Sequence, residues 1–499
     1  MSTDPGYSLT SLPGVRLWLD RLRADLRSGR SCLWLLPRAA SRGPGCAAER
    51  LLDELLHEVN DFLLLPPGDN GRAVPVPAPA SASARPPRWS GTVPTIDFDD
   101  GLSALDLSAS AGPPQEPHRA PATVSDALTE LLERLGKELS ADPAPVSGDG
   151  TAAGWGGAEP RRPPYAVHGA LARLAGRTGG GPETRPIVVR AWREAVPTAA
   201  THLLRRLVGT VREAGLPPAE RPRSLVVAVA EDLPAGLPEQ LAREDIAVHW
   251  WWGATGRLDT ATVVALTRPF VGGSADRQLL EAVVQATVTE ICGPFLDVAA
   301  ALSRTWDGQP ETLLDELRRA VTGTAPPADA RPQRWDANHR PGRRPDDGLL
   351  ATWSAAAVDS WDGRLRRHPA HDIADGHAVS TGMWLAHNNA LLPLLDGARE
   401  KFTDTVRLRS RVPLQQLAVR YGPRVGDRTA YPASAGGPDE GLRAMELGAM
   451  WGAHLNKDIA LTRTESNRLH VLWTVRNRLA HRQPLDGARL RHLATELCR

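Results

Sequence analysis

Three residues near the C-terminus have the types and the spacing that phosphate chemistry requires. Arg476, Asn477 and His481 stand in the segment LWTVRNRLAH, which ends at His481 and is soon followed by Pro484. Histidine titrates near neutral pH, so it could move a proton while a 2′-hydroxyl attacks a phosphate. Arginine could hold that phosphate bidentately. Asn477 lies one helical turn before His481 and could orient its ring.

A second candidate site combines a glycine-bearing loop with a pair of acidic residues. The loop follows the short apolar run of residues 31–37 and contains Gly43 and Gly45. The acidic pair, Glu231 and Asp232, follows the apolar run SLVVAVA. This order of strand, loop, helix and later acidic strand end resembles a P-loop nucleotide-binding domain, in which the acids hold a metal ion and polarise water.

The loop lacks the groups that nucleotide hydrolysis requires. A working loop reads Gly-x4-Gly-Lys-Ser/Thr: its backbone N–H groups cradle phosphate, its Lys neutralises charge and its hydroxyl holds Mg²⁺. Here there is no Lys, Ala47 and Ala48 stand where the hydroxyl is expected, and Pro44 removes a backbone donor. We expect no ATP hydrolysis and no resident cofactor, with ATP or ADP binding without hydrolysis as an open alternative. The acidic pair has a second interpretation, because acidic residues commonly end parallel strands.

Three histidines and two aspartates cluster within ten residues. His368, His371 and His377 together with Asp372 and Asp375 could ligate a metal ion. Proline and glycine within the segment indicate a loop, and the spacing fixes no further carboxylate ligand. We interpret the segment as a solvated loop and expect no metal site. The four cysteines form no CxxC pair, which is typical of a reducing cytoplasm.

Two apolar stretches each have two interpretations. Residues 249–252, His-Trp-Trp-Trp, could form a platform for a base or a peptide, or could pack against covering helices. Because the chain has 15 Trp against 5 Phe and 4 Tyr, tryptophan must supply much of the packing by large side chains. The stripe of Met445, Leu447, Met450 and Leu455 is interpreted as a core face or a dimer seam.

The N-terminal half has the alternating pattern of a three-layer α/β domain. Four buried strands are expected, at residues 31–37, 186–192, 224–230 and 246–252. Apolar residues at helical spacing predict helices around them, at residues 12–28, 47–64, 199–213, 237–243, 276–304 and 310–321. Strands separated by helices imply parallel pairing through right-handed crossovers.

The remainder of the chain divides into a loose insertion and a helical region. Residues 66–165 hold 17 of the 44 prolines and lack the apolar density that repays ordering entropy, although helices are expected at 124–139 and 165–175. After residue 348 only helices and no strands are expected, at residues 349–358, 378–402, 441–456, 464–481 and 486–498. The predicted domains are 1–65 with 180–321, an insertion at 66–179, a linker at 322–348 and a helical domain at 349–499.

The α/β half resembles the inactive STAND-type P-loop domains of bacterial multi-component defence systems. The resemblance rests on LPGVRLWLDRLRADLRSGRSCLWLLP, the degenerate loop, and the PIVVRAW and LVVAVAEDLP segments, and it covers about 1–65 and 180–320. It implies a recognition or scaffolding component that has lost nucleotide hydrolysis. It also implies protein partners of the same system, an ATPase or a von Willebrand A-type protein.

The C-terminal motif resembles the Arg-x4–6-His motif of HEPN domains, helical bundles that include metal-independent ribonucleases. The Arg-Asn start and the position on a late helix match that pattern. The resemblance implies that Arg476, Asn477 and His481 form an RNA-cleaving site across a homodimer. Many HEPN-like domains keep these residues for folding or dimer packing, which stays the alternative.

Charge is uneven along a chain whose formal net charge is +1. Residues 331–499 hold 26 Lys and Arg against 18 Asp and Glu, an excess that suits an RNA backbone. The first residues do not resemble a signal peptide, and no stretch approaches 18 apolar residues. We therefore expect a cytoplasmic protein with no membrane partner.

The expected fold class is α/β, with a parallel sheet in three layers like a degenerate P-loop NTPase, followed by an all-α helical bundle. The expected function is that of a non-hydrolysing scaffold. A HEPN-type endoribonuclease regulated by the α/β domain and a nucleotide-binding regulator are the alternatives.

Overall fold

Within the described residues, the N-terminal half folds around a five-stranded parallel sheet. The computed structural model describes residues 7–42, 46–58, 62–68, 123–141, 186–218, 221–268, 272–327, 341–374, 376–422 and 438–499. The strands of the sheet are β1 (Cys32–Leu36), β2 (Leu63–Leu64), β3 (Ile187–Arg190), β4 (Ser224–Val229) and β5 (Ala247–Trp250). Their order across the sheet is β2-β3-β4-β1-β5, and every neighbouring pair is parallel.

Strand β1 is apolar along its whole length because both faces of the sheet are covered. Leu33 and Leu35 of β1 lie in the core on one face, whereas Trp34 and Leu36 lie in the core on the other. Successive side chains of a strand point to opposite faces, so a strand covered on both sides has no polar positions. The strand predictions at 31–37 and 224–230 are confirmed.

Helices form the two outer layers of the α/β half. The helices of this half are α1 (Pro13–Arg27), α2 (Ala47–Glu58), α3 (Val124–Ala141), α4 (Pro197–Glu213), α5 (Leu237–Arg243), α6 (Arg257–Thr267), α7 (Ala275–Cys292), α8 (Leu296–Thr305) and α9 (Leu313–Ala320). Helices α1, α2 and α6 cover one face of the sheet, and α3, α4 and α5 cover the other. The helix predicted at 124–139 therefore belongs to the α/β core, while the one predicted at 165–175 lies outside the described residues.

The helix predicted at 47–64 is wrong at its C-terminal end. Helix α2 ends at Glu58, and β2 instead pairs with Ile187 and Val188 of β3. The Leu63 N–H donates to Pro186 O at 2.9 Å. The pairing partner is more than a hundred residues away in the chain, so helical spacing alone could not reveal this strand.

The prediction that no strand follows residue 348 is also wrong. Two antiparallel strands, β6 (Val358–Trp361) and β7 (Arg364–Arg367), form a hairpin. Asp362 has a φ of 51° and Gly363 a φ of 76°. A two-residue turn with both residues at positive φ matches the right-handed twist of hairpin strands, and Asp-Gly is a preferred sequence for it. The Asp-Gly pair therefore indicated a hairpin, but the apolar residues at helical spacing around it favoured a helix.

The rest of the described C-terminal part is helical. Its helices are α10 (Asp347–Ser354), α11 (Pro369–Ile373), α12 (Gly376–Arg409), α13 (Leu414–Tyr421), α14 (Pro438–Arg443), α15 (Leu447–Leu455), α16 (Arg463–Ala480) and α17 (Gly487–Leu497). Met445, Leu447 and Met450 are buried in its core, to which Val283 of α7 also belongs. Helix α7, which belongs to the N-terminal half, therefore also packs into the core of the C-terminal part. No helix of the described residues has both the length and the apolar character needed to cross a bilayer.

Candidate functional site

The carboxyl ends of β1 and β4 bring the predicted loop and the acidic pair to one edge of the sheet. The two strands pair in parallel as far as Leu36 and Val229, so the segments after them leave the same edge. Short 3-10 helices follow both strands, Arg38–Ser41 after β1 and Ala230–Asp232 after β4. This edge is where ligands bind in open parallel sheets.

Arg38 from the loop binds both members of the acidic pair. Its Nε lies 3.0 Å from Glu231 Oε2, and its Nη2 lies 2.6 Å from Asp232 Oδ1. The hydrogen bond to Glu231 is the main cause that raises the pKa of Arg38. A guanidinium that contacts two carboxylates neutralises the charge that a divalent cation would need. The acidic pair is thus engaged by the protein's own side chain.

The described part of the loop is incomplete as a site for a metal-bound phosphate. Gly43 and Gly45 lie outside the described residues. Ala47 is the first residue of α2 and carries no hydroxyl. The described part of the loop offers Arg38, Arg42 and Ser41, whose hydroxyl donates to Arg38 O, but no hydroxyl at the position expected for Mg²⁺.

The C-terminal motif lies at the end of α16, with its residues on two sides of the helix. Arg476 is exposed, and its Nη2 is 3.5 Å from Glu446 Oε2. His481 caps the helix, with its backbone N–H donating to Asn477 O, and its side chain is exposed. At 3.6 residues per turn, Asn477 and His481 are about 40° apart around the helix, whereas Arg476 and Asn477 are about 100° apart. Within one copy of the chain, Asn477 and His481 therefore lie on the same side of α16, and Arg476 lies on a different side.

Helix α12 fixes the position of the motif. Trp384 Nε1 donates to Leu479 O at 2.7 Å, just before the end of α16. The Leu485 N–H donates to Nδ1 of the buried His387 at 3.1 Å, just after it. Both ends of the segment that carries His481 are thereby held against α12.

We expect acid to weaken the fold through His387. Burial lowers the pKa of His387 to about 4, whereas a histidine in the unfolded chain titrates near pH 6.5. Between these values the unfolded chain binds the extra proton, so the free energy of unfolding falls as pH falls, by up to about 3 kcal/mol. Asparagine can offer an oxygen in place of Nδ1 without titrating. Urea denaturation at pH 7 and pH 4.5 should show a smaller pH effect in His387→Asn than in wild type, and an equal effect would contradict the assignment.

The histidine cluster predicted as a solvated loop is folded and partly buried. His368 is 2% exposed and caps α11, which contains His371 and Asp372. Pro369 starts that short helix rather than excluding it, because proline is tolerated in the first turn. Asp375 lies outside the described residues. Among the residues that the structure describes, no three His, Cys, Asp or Glu side chains are placed to hold a metal ion.

The tryptophans of residues 249–252 pack inside the protein. Trp250 and Trp252 are 6% and 1% exposed, and Trp251 lies edge-on to Trp18 at 4.9 Å between ring centroids. His249 Nε2 lies 3.0 Å from Asp25 Oδ2 of α1. The packing interpretation is therefore confirmed for Trp250 and Trp252, whereas Trp251 is only half-buried.

A cleft of about 450 Å³ opens at the same carboxyl edge of the sheet, and the sequence did not predict it. Its walls include Tyr7, Arg50 of α2, Trp251 after β5 and Phe295 before α8, and Asp359 of β6 also lines it. These residues are scattered over more than 350 positions, so no local spacing could identify them. The one available signal was the general rule that ligands bind outside the carboxyl ends of parallel strands.

Comparisons of the chain with protein-family models, with curated proteins and with solved structures found no match.

Proposed function

We propose that the chain is a non-hydrolysing recognition or scaffold component of a multi-protein bacterial defence-type assembly, built on a degenerate STAND-like P-loop core. The observation that carries this proposal is the contact of Arg38 with Glu231 and Asp232. In a working enzyme these acids would hold Mg²⁺ and polarise water. Here a guanidinium contacts both of them, the loop has no lysine, and Ala47 and Ala48 stand where the metal-binding hydroxyl is expected.

The arrangement of the sheet supports the P-loop interpretation of the core. The loop after β1 and the acids after β4 meet at one edge because these strands are parallel neighbours. A helix, α2, follows the loop as the resemblance requires. A core that keeps this framework without its catalytic groups is suited to presenting surfaces to partner proteins.

The first test is ATP hydrolysis by the purified full chain in the presence of Mg²⁺. We expect wild type and Arg38→Ala to release phosphate no faster than buffer, because freeing the acids does not restore the missing lysine and hydroxyl. Mg²⁺-dependent hydrolysis by wild type that Asp232→Asn abolishes would contradict the proposal.

The second test is association with the protein partners that the resemblance implies. The chain would be mixed with a purified ATPase and a purified von Willebrand A-type protein from the same host, without added nucleotide. Size-exclusion chromatography with light scattering should then give a complex heavier than any component. Elution of every protein at its own mass would count against a scaffold role.

A metal-independent endoribonuclease is the second candidate function. The exposure of Arg476 and His481 at the end of α16 favours it, because both side chains are accessible to RNA. Structured RNA incubated with EDTA should be cleaved by wild type and not by His481→Ala. The matched control is His470→Ala, which removes another exposed histidine of the same helix and should leave cleavage unchanged. Intact RNA in every sample would leave the scaffold role as the supported function.

A further inference from the structure

The cleft at the carboxyl edge of the sheet has the size and position of a small-molecule site. Its volume of about 450 Å³ lies within the range of ligand pockets. The α/β half contributes Arg50 and Trp251, and the C-terminal part contributes Asp359 and His368. A molecule in the cleft would therefore touch both halves of the chain.

An arginine without a partner gives the cleft its positive charge. Among the described residues, the Arg50 guanidinium forms no hydrogen bond and no ion pair, and its Nε is buried. Arg42 also lines the cleft. The first turns of α2 and α8, at Ala47 and Leu296, face the same space, and the N-terminus of a helix carries a partial positive charge.

Burial reduces the charge of two other ionisable groups that line the cleft, Asp359 and His368. Burial raises the pKa of Asp359 to about 7, and its Oδ1 accepts hydrogen bonds from the Gly253 and Ser360 N–H groups. Burial lowers the pKa of His368 to about 4, so its ring is neutral at pH 7. Asp297, the remaining acid that lines the cleft, offsets one of the two arginines, Arg42 and Arg50. The balance of charge favours an anion.

The remaining walls are apolar and aromatic. Tyr7, Trp251 and Phe295 line the cleft together with Leu51 and Leu296. Aromatic walls bind flat ring systems through stacked or edge-on contacts. Burial raises the pKa of Tyr7, so its hydroxyl stays protonated and can donate a hydrogen bond to an acidic ligand.

We propose that this cleft binds a small organic anion, made of a flat aromatic ring system that carries one acidic group. The ring lies among Tyr7, Trp251 and Phe295, and the acidic group pairs with Arg50. The proposal goes beyond the scaffold function and does not depend on it. It also differs from a magnesium–nucleotide site, because the acids that would hold the metal are bound by Arg38.

The test uses the fluorescent aromatic sulfonate 1-anilinonaphthalene-8-sulfonate on the full chain. Wild type should bind one equivalent saturably, and Arg50→Gln should weaken binding at least tenfold. The matched control is Arg212→Gln, which lines a smaller cavity near the amino ends of the strands and should bind as wild type does. Should Arg50→Gln lower the melting temperature, Ala40→Phe fills the cleft without removing a charge and should also abolish binding.

Competition identifies the chemistry of the ligand. Phenyl phosphate should displace the dye, while benzyl alcohol, which lacks the acid, and inorganic phosphate, which lacks the ring, should not. Unsaturable binding, or equal binding by wild type, Arg50→Gln and Ala40→Phe, would overturn the proposal. Displacement by magnesium–ATP without displacement by phenyl phosphate would overturn it too, in favour of a nucleotide site.

Discussion

Gly14→Ala is expected to lower the free energy of unfolding by about 3 kcal/mol. The Gly14 N–H donates to Asp259 Oδ1 at 2.7 Å, and the Gly256 N–H donates to Asp259 Oδ2 at 2.6 Å. One buried carboxylate therefore caps α1 and α6 together. A Cβ on Gly14 would overlap Asp259 Oδ2 and lie 2.9 Å from Ala254 O. Neither neighbour can move away, because both hold the junction of the two helices.

The control for this change is Gly209→Ala in the middle of α4. A Cβ on Gly209 would meet nothing within 4 Å, so the gain in helix propensity should stabilise the fold by roughly 0.5–1 kcal/mol. Urea denaturation followed by circular dichroism measures both variants. The same glycine-to-alanine change should thus have opposite signs at the two positions. Destabilisation of equal size at both would show that Asp259 does not hold the two helices.

Glu290→Ala is expected to cost about 3 kcal/mol, near the lower end for the loss of a buried ion-pair partner. Its side chain is 2% exposed and contacts Arg257 Nη1 at 2.6 Å and Arg366 Nη1 at 3.2 Å. Both guanidinium groups also lie over the ring of Trp361, at 4.5 and 5.0 Å from its centroid. Without the carboxylate, two cations would face one ring with only Asp362, whose Oδ2 lies 3.8 Å from Arg257 Nε, to offset their charge.

The comparison for Glu290→Ala is Asp315→Ala, which removes an exposed ion pair of α9. Asp315 Oδ1 and Arg318 Nη1 are 2.7 Å apart, with side chains 70% and 52% exposed, so the loss should be about 0–1 kcal/mol. Glu290→Gln, which keeps the hydrogen-bonding shape, should fall between the two. Equal denaturation midpoints for Glu290→Ala and Asp315→Ala would show that Glu290 does not hold α6, α7 and the β6–β7 hairpin together.

The sequence predicted best the elements whose signals are local. After Ser224, the run SLVVAV is apolar because a central parallel strand is covered on both faces, and it could not be mistaken for a half-exposed element. Helix α16 begins with a capping box formed by Thr462 and Glu465, and its predicted and observed bounds differ by one residue at each end. The residues that determine such elements are close together in the sequence, so the sequence alone is enough to predict them.

The sequence predicted least where distant segments meet. The two-residue strand β2 exists through its pairing with β3, and the acidic pair is neutralised by Arg38, almost two hundred residues earlier. The cleft is lined by residues as distant in the sequence as Tyr7 and His368. In each case the decisive partner is set by the order of strands in the sheet, which periodicity does not encode.

Helix α3 has a practical consequence for anyone who shortens this chain. Its leucines, Leu128, Leu131, Leu132 and Leu135, are all buried in the same core as β1 and α4. Burial of four leucines contributes roughly 6–12 kcal/mol before entropic costs. A deletion that removes the proline-rich stretch together with residues 123–141 would expose the apolar surface of α4 that α3 covers. The exposed surface would promote aggregation. A trimmed protein for crystallisation or microscopy should splice out residues on either side of α3 and keep the helix itself.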